Sequence, residues 1–235
     1  MSRFGHPRIH HRLTDSTNAR ARELALTGAP HGTTVTATEQ SAGRGRQGRT
    51  WTAPAGRALL MSAIVRDLSR RDALLPLAVP VAVAHACDQF AGATCGIKWP
   101  NDIWIESRKL SGILLEGRPQ EGWAVIGIGL NVGTTRDEFP DELRATATSL
   151  VVESGTDPGV EPVLGAVLGE LDRWLAASPR SILDAWRERD VLSGSTIRWN
   201  GGEGTAVGLD DNGALLVETK SGRVALDAGE VHLLR

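Results

Sequence analysis

Apolar and polar positions sort this chain into strands and helices before any motif is considered. HGTTVTATEQ carries β-branched residues at alternate places and predicts a strand over about 33–38. ALLMSAIV, residues 58–65, is an unbroken apolar run, the pattern of a strand buried on both faces. CGIKW, DIWIES, KLSGILLEG and GWAVIGIGLNVG follow as apolar runs joined by short turns, which predicts an antiparallel or mixed sheet. Between these lie helical periods. Residues 14–28 predict a helix capped by Ser16 or Thr17 and stopped at Gly28. Residues 70–91 are rich in Ala, Leu and Val and predict a core helix that starts near Pro76 or bends at Pro80. Residues 161–176 and 179–189 predict amphipathic helices with Trp174 and Trp186 on their core faces.

The pattern changes after Asp190. TIRW, GTAVGLD, ALLVETK, RVALD and EVHLL are short strands spaced by Gly, Asp and Asn, with DDNG at 210–213 as a hairpin turn. These residues predict a small barrel packed on the main domain. The expected fold is therefore α+β: a mixed sheet with helices packed on it over 1–189, and a small C-terminal barrel over 190–235.

Composition narrows the function classes. The net charge is −2, whereas a dedicated nucleic-acid binder is basic over its binding domain. No apolar run is long enough to span a bilayer, and the N-terminus lacks the apolar core of a secretory signal, so a cytoplasmic protein without membrane contact is expected. Cys87 and Cys95 have the spacing of neither a zinc knuckle nor a redox pair and are expected as buried thiols. None of the six histidines sits at zinc-site spacing, so no protein-held metal site is expected. Of 26 basic residues only Lys98, Lys109 and Lys220 are lysines, two of them in one short window. A lysine among arginines suits a place where a planar fork does not fit.

Three segments carry candidate chemistry. In GRGRQGRTW, 43–51, glycines allow close backbone approach, arginines offer forked donors for carboxylate and phosphate, and Trp51 can stack on a flat ring. Taken alone, the run also fits a solvated or RNA-contacting loop. In KWPNDIWIESRKLSGILLEG, Trp99-Pro100-Asn101-Asp102 forms a turn, and Lys109 opens the next strand, within reach of Asp102 across a hairpin. That pair reads either as a surface salt bridge worth ~0–1 kcal/mol or as an ammonium aimed at developing negative charge beside a carboxylate that can hold Mg²⁺ or accept a proton. In IGIGLNVG, 126–133, Gly127 and Gly129 leave one side of a strand bare, for a flat ligand or for a closely packed helix, and Asn131 offers an amide at its end.

Together and in order, these segments resemble the biotin–protein ligases, also called biotin–[acetyl-CoA-carboxylase] ligases. GRGRQGRTW is similar to that family's adenylate loop, KWPNDIW with RKLSGILLEG to its KWPND…KxxGIL pair, and IGIGLNVG to its GxGxN strand. DSTN at 15–18 and EQSAG at 39–43 also fit. The resemblance is close over about residues 13–133 and looser over the terminal meander. It implies a class II aminoacyl-tRNA-synthetase-like catalytic domain with an SH3-like C-terminal domain. It implies activation of biotin with ATP and Mg²⁺ to biotinyl-5′-AMP and pyrophosphate, then transfer to one lysine of a biotin carboxyl carrier domain. In that scheme Ser16, Thr17 and Gln40 bond the ureido ring, with backbone at Arg44 and Leu114 helping. Gly43, Gly112, Gly127 and Gly129 leave room for the bicycle and valeryl chain. Arg44, Arg46 and Arg49 bind carboxylate and phosphates, and Trp51 meets the adenine. Lys109 stabilises charge at the reacting centre, with Arg46 beside it. Asp102 is the base for the incoming lysine or the orienter of Lys109. Asn101 and Asn131 contact the nucleotide, and Mg²⁺ arrives on the ATP phosphates. The Gly/Arg loop is expected to be mobile when empty and to order around the adenylate.

Some members of that family carry an N-terminal helix-turn-helix and repress transcription. This chain begins about a dozen residues before its first motif, so the short form without a DNA-reading domain is expected, with no DNA binding. A monomer or weak homodimer is expected, since edge strands could pair or stay capped. The rival readings are a lipoate–protein ligase of the same fold and an RNA-binding module using GRGRQGR; the latter sits poorly with an acidic chain that has no tyrosine and three phenylalanines.

Overall fold

The computed structural model describes residues 3–68, 74–227 and 229–234. Among them a seven-stranded mixed sheet forms the centre, with strand order β1-β2-β3-β7-β6-β5-β4. The strands are β1 (Arg8–Thr14), β2 (Thr34–Gln40), β3 (Ala58–Arg66), β4 (Gly96–Lys98), β5 (Asp102–Ile105), β6 (Arg108–Arg118) and β7 (Trp123–Asn131). β1 runs parallel to β2, and every other neighbouring pair is antiparallel.

The two faces of the sheet do different work. On one, α2 (Leu75–Ala91) packs with α4 (Val160–Leu175) and α5 (Pro179–Arg187) over Met61, Ala63, Ile126, Ile128 and Leu130. Trp186 is buried in this core and Trp174 at its margin. On the other, α1 (Thr17–Leu26) lays Ala21 and Ala25 against Val35, Ile64, Trp123 and Val125. β3 and β7 are covered on both sides, which is why they read as continuous apolar runs. α1 is short and leaves the ends of β6 and β7 beyond it uncovered. The cavity described below opens there.

Several details depart from the sequence expectations. Residues 70–73 of the predicted core helix lie outside the described residues. α2 begins at Leu75, places Pro76 in its first turn, where the missing N–H leaves no bond unmade, and carries Pro80 inside. Ser16 does occupy the N-cap of α1, but its side chain makes no capping bond. Instead Asp15 accepts the Ser16 N–H at 2.7 Å and Gln40 Oε1 accepts the Thr17 N–H at 2.7 Å. β1 was not predicted. It is an edge strand, mostly exposed, whose partner β2 is parallel and remote in sequence, so neither a buried face nor a turn betrays it. The short helix α3 (Leu150–Ser154), capped by the Ser149 hydroxyl on the Val152 N–H, was also missed.

The C-terminal strands β8 (Thr196–Trp199), β9 (Gly202–Leu209), β10 (Leu215–Thr219), β11 (Gly222–Leu226) and β12 (His232–Leu233) form a five-stranded antiparallel SH3-like module, in order β11-β10-β9-β8-β12. DDNG is the turn between β9 and β10. The chain enters this module pinned to the edge of β4: the Ile97 N–H donates to Arg189 at 2.7 Å and the Val191 N–H to Ile97 at 3.1 Å. Leu192, Ile197, Leu215 and Val217 continue the main core without a break.

Candidate active site

At the start of α1 the side chains are small, polar and buried: Ser16, Thr17 and Asn18 are each under 5% exposed. Ser62, fully buried on β3, lies 2.8 Å from the Thr17 hydroxyl and 2.5 Å from Asn18 Oδ1. Asn18 Nδ2 donates to Glu116 on β6 at 2.8 Å. Helix, β2, β3 and β6 thus meet in one hydrogen-bonded cluster of neutral groups, with a carboxylate at its rim.

The glycine strip runs beside this cluster. Gly127 pairs across the sheet with Ser62 and Leu114, and Gly129 with Leu60 and Gly112. The strip is not bare. A Cβ on Gly127 would strike the Asn18 amide, and one on Gly129 would strike the Trp51 indole. A Cβ on Gly112 would stand 3.1 Å from the same indole and 3.2 Å from Lys109 Nζ. The flat group against the strand is the protein's own Trp51, whose Nε1 is buried without a partner.

GRGRQGRTW forms a small hairpin. The Trp51 N–H donates to Gly43 at 3.0 Å and the Gly45 N–H to Arg49 at 2.8 Å, with Gln47 (φ 55°) and Gly48 (φ 75°) turning the tip. Gly43 sits at the base, where a Cβ would strike the Trp51 carbonyl. Arg46 crosses the cavity to donate to Asn101 Oδ1 at 2.9 Å and to the Gly229 carbonyl at 3.3 Å. Burial lowers its guanidinium pKa, with Asp102 and Glu230 opposing that shift. Arg49 forms an ion pair with Glu230. The C-terminal module therefore holds the hairpin at two points.

Lys109 Nζ pairs with Asp102 at 2.7 Å, both side chains being partly exposed to the cavity. In register Asp102 faces Gly112 while Lys109 faces Trp104, because a bulge lies between Ile103 and Trp104; the ammonium reaches back along β6 to the carboxylate. Lys98 faces Asp102 from β4. Its ammonium lies 4.7 Å from the Trp104 ring centre, and burial lowers its pKa. Asn101 is pinned, with its Nδ2 donating to Ile113 at 2.6 Å.

One cavity takes in Ser16, Thr17, Gln40, Arg44, Arg46, Arg49, Trp51, Asn101, Asp102, Lys109, Gly112, Leu114, Gly127 and Gly129. Gly43 lies at its edge under the hairpin. Asn131 instead lines an adjoining cavity and is held by its amide, which donates to Thr148 at 2.9 Å. The two cavities share Arg49, Thr50, Trp51, Lys98, Asp102, Lys109 and Glu230, so these charged groups stand at their junction. Sequence reading missed five contributors: Asn18, Ser62, Lys98, Glu116 and Glu230. The rarity of lysine pointed to Lys98; Ser62 and Glu230 carry no local signal. Among the described residues no group of three or more His, Cys, Asp or Glu side chains could hold a metal, and no helix is long and apolar enough to cross a membrane. Cys87 and Cys95 are free and buried.

The cavity can do four things at once. Its inner end can hydrogen-bond a small polar ring, its middle can take a linear chain beside the Trp51 indole that covers the glycines, its junction can hold negative charge, and its lid of arginines can exclude water.

Comparison with known proteins fits this division. The family model described as "Biotin/lipoate A/B protein ligase family" matches residues 11–132, and "Biotin protein ligase C terminal domain" matches residues 193–234. The chain is 36% identical to the bifunctional ligase/repressor BirA of Bacillus spizizenii, over 98% of this chain and 75% of that protein. It is 34% identical to the biotin–[acetyl-CoA-carboxylase] ligase of Mycobacterium tuberculosis, over 94% of this chain and 87% of that protein. The solved biotin protein ligase from Aquifex aeolicus in complex with biotin and ATP superposes with a TM-score of 0.84 at 29% identity, covering 97% of this chain and 98% of that one.

Proposed function

The chain belongs to the biotin/lipoate protein ligase family and is a biotin–protein ligase; from that premise we propose how the cavity carries out the two half-reactions. Biotin and ATP are the substrates. The observation that carries the assignment of roles is the meeting, in one cavity, of a neutral polar inner end, the Lys109–Asp102 pair and the arginine hairpin.

Biotin enters ring first. Ser16, Thr17 and Gln40 bond the ureido group, with backbone at Arg44 and Leu114 completing the set. The valeryl chain runs along Gly112, Gly127 and Gly129, beside the Trp51 indole, and ends near Lys109. ATP occupies the adjoining cavity, with Asn131 and Trp51 near the nucleotide. Asn101 acts by holding Arg46.

In the first step a biotin carboxylate oxygen attacks the α-phosphorus of ATP and the bond to pyrophosphate breaks. Negative charge builds on the phosphoryl oxygens. Lys109, Arg46 and Arg49 stand where preorganised cations stabilise it. Lys98 adds a second ammonium at the junction. Asp102 and Glu230, the carboxylates at the junction, are each already paired with a cation, so Mg²⁺ would be held by the ATP phosphates, whose charge it would neutralise. In the second step the amine of a carrier lysine attacks the acyl carbon and AMP leaves. Asp102 takes the proton of that amine or keeps Lys109 in place. The hairpin, closed by Arg46 and Arg49 against the C-terminal module, keeps water from the mixed anhydride. The working division is residues 1–189 for both chemical steps and 190–235 for holding the hairpin.

ATP–pyrophosphate exchange with biotin, lipoate or no acid tests this reading. Biotin-dependent exchange is expected. Exchange with lipoate alone would move the protein to the lipoate branch, and exchange with neither would remove the adenylation chemistry.

A further inference from the structure

Lys109 sits where β6 changes partner. β6 pairs with β7 from Ser111, opposite Leu130, onward, and β7 ends at Asn131. At Lys109 residues 146–148 take the place of β7. The Lys109 N–H donates to the Thr146 carbonyl at 2.8 Å, and the Thr148 N–H donates to the Lys109 carbonyl at 2.9 Å, a parallel bridge that sets Lys109 opposite Ala147. Lys109 thus commits its one main-chain donor, and its carbonyl, to this segment. The segment is also a wall of the cavity read as the ATP site: Leu143, Ala145, Thr146 and Ala147 line it, and the Thr148 carbonyl accepts the Asn131 amide at 2.9 Å.

A carboxylate fastens this joint from behind. Glu153, on α3, has a side chain 11% exposed and is not among the described residues that line either cavity. It accepts the hydroxyl of Thr148, which is fully buried, and pairs with the Arg108 guanidinium at 3.0 Å. Arg108 precedes Lys109 in β6, and Thr148 is the residue whose N–H holds the Lys109 carbonyl. A carboxylate so far out of water is costly unless it is paired and hydrogen-bonded. This one spends its bonds on the two sides of the Lys109 bridge. α3 holds the other end of the wall as well: the Ser149 hydroxyl that caps it donates to the Thr134 carbonyl at 2.6 Å.

We propose that Glu153 is a positioning residue for adenylation: it clamps residues 146–148 to Arg108 and so fixes the Lys109 ammonium relative to the nucleotide. The inference rests on the biotin-ligase reading, which gives Lys109 its role, and deepens it. Glu153 touches no substrate and acts through Lys109.

A double-mutant cycle in biotin-dependent ATP–pyrophosphate exchange tests this, with wild type, Glu153→Gln, Lys109→Ala and the double variant. Glu153→Gln keeps the shape and an oxygen for the Thr148 hydroxyl but removes the charge that Arg108 meets. In the wild-type background it is expected to lower kcat about tenfold, as for a reacting group moved by a fraction of an ångström, with the KM for biotin changed less than about twofold. In the Lys109→Ala background the same change is expected to lower kcat by less than about twofold, since the group it positions is gone. Equal fold losses in the two backgrounds would overturn the proposal and make Glu153 a general support of the fold. An unchanged kcat in Glu153→Gln would overturn it too. Should Glu153→Gln fail to fold, Arg108→Gln, at the more exposed end of the pair, enters the same cycle under the same criterion. A wild type without biotin-dependent exchange would refute the biotin reading instead, before any variant is compared.

Discussion

The two ends of the cavity are built in opposite ways. The inner end is made of short neutral side chains, buried and bonded to one another on a helix start and three strands. The outer end is a hairpin of arginines, held by an ion pair and one long bond to a different module. A buried neutral network is rigid and costly to leave half-made, which suits recognition. An exposed ion pair is weak and screened by salt, which suits a lid that must open. The two ends are expected to fail differently when altered, and that difference can be pressed.

The largest effect belongs to the junction between them. Lys109→Ala is expected to slow adenylate formation by about 10²–10³-fold, the range for loss of one preorganised charge-stabilising group, in pyrophosphate exchange at saturating substrates. A loss confined to the KM for biotin would move Lys109 from the chemistry to the recognition end. Next comes the lid. Arg46→Gly removes the bond to Asn101 and should raise release of free biotinyl-AMP about tenfold, in line with a lost hydrogen bond to a charged group. Unchanged retention of the intermediate would contradict the role given to the hairpin. Glu230→Ala breaks the ion pair with Arg49 from the other module. It should raise release by no more than about fivefold, as for a partly exposed pair, and high salt should produce the same rise in the wild type but add little to the variant.

The smallest effect concerns Asp15, at the foot of the inner end. The Arg20 guanidinium, then the Ser16 N–H, hold its carboxyl well below the usual carboxylate range. A depressed folded value means stability that is present above the unfolded value, about 3.9, and lost as pH falls through the folded one. Wild type should therefore exceed Asp15→Asn by under about 1 kcal/mol at neutral pH, since the pair is exposed. In thermal melts the gap should stay constant down to about pH 5 and close below about pH 4. A gap that widened on acidification would reverse the sign.

How far each part could be read from sequence follows from what kind of contact makes it. β3 and β7 are buried on both faces, and their apolar runs show it. The meander after Asp190 shows itself by its turns. β1 is solvated along most of its length and pairs with a remote parallel strand, so its residues resemble a loop. In the cavity, GRGRQGRTW, KWPND and the glycine strip stood out because each departs from ordinary composition. Ser62 could not stand out, being one hydroxyl in an apolar strand whose partners lie 44 and 45 residues away. Glu230 comes from the other module, in a segment with no chemical signature. The glycines of β7 were legible as a gap, but their side-chain neighbours, Asn18 and Trp51, are matters of tertiary packing.

Hydrogen–deuterium exchange in the free protein and with bound biotinyl-5′-AMP tests the contrast between the two ends most directly. The account predicts slow exchange at residues 16–18 and 60–64 in both states, and a large gain in protection at 43–51 on binding. A hairpin equally protected in both states, or an inner end that orders only on binding, would contradict it.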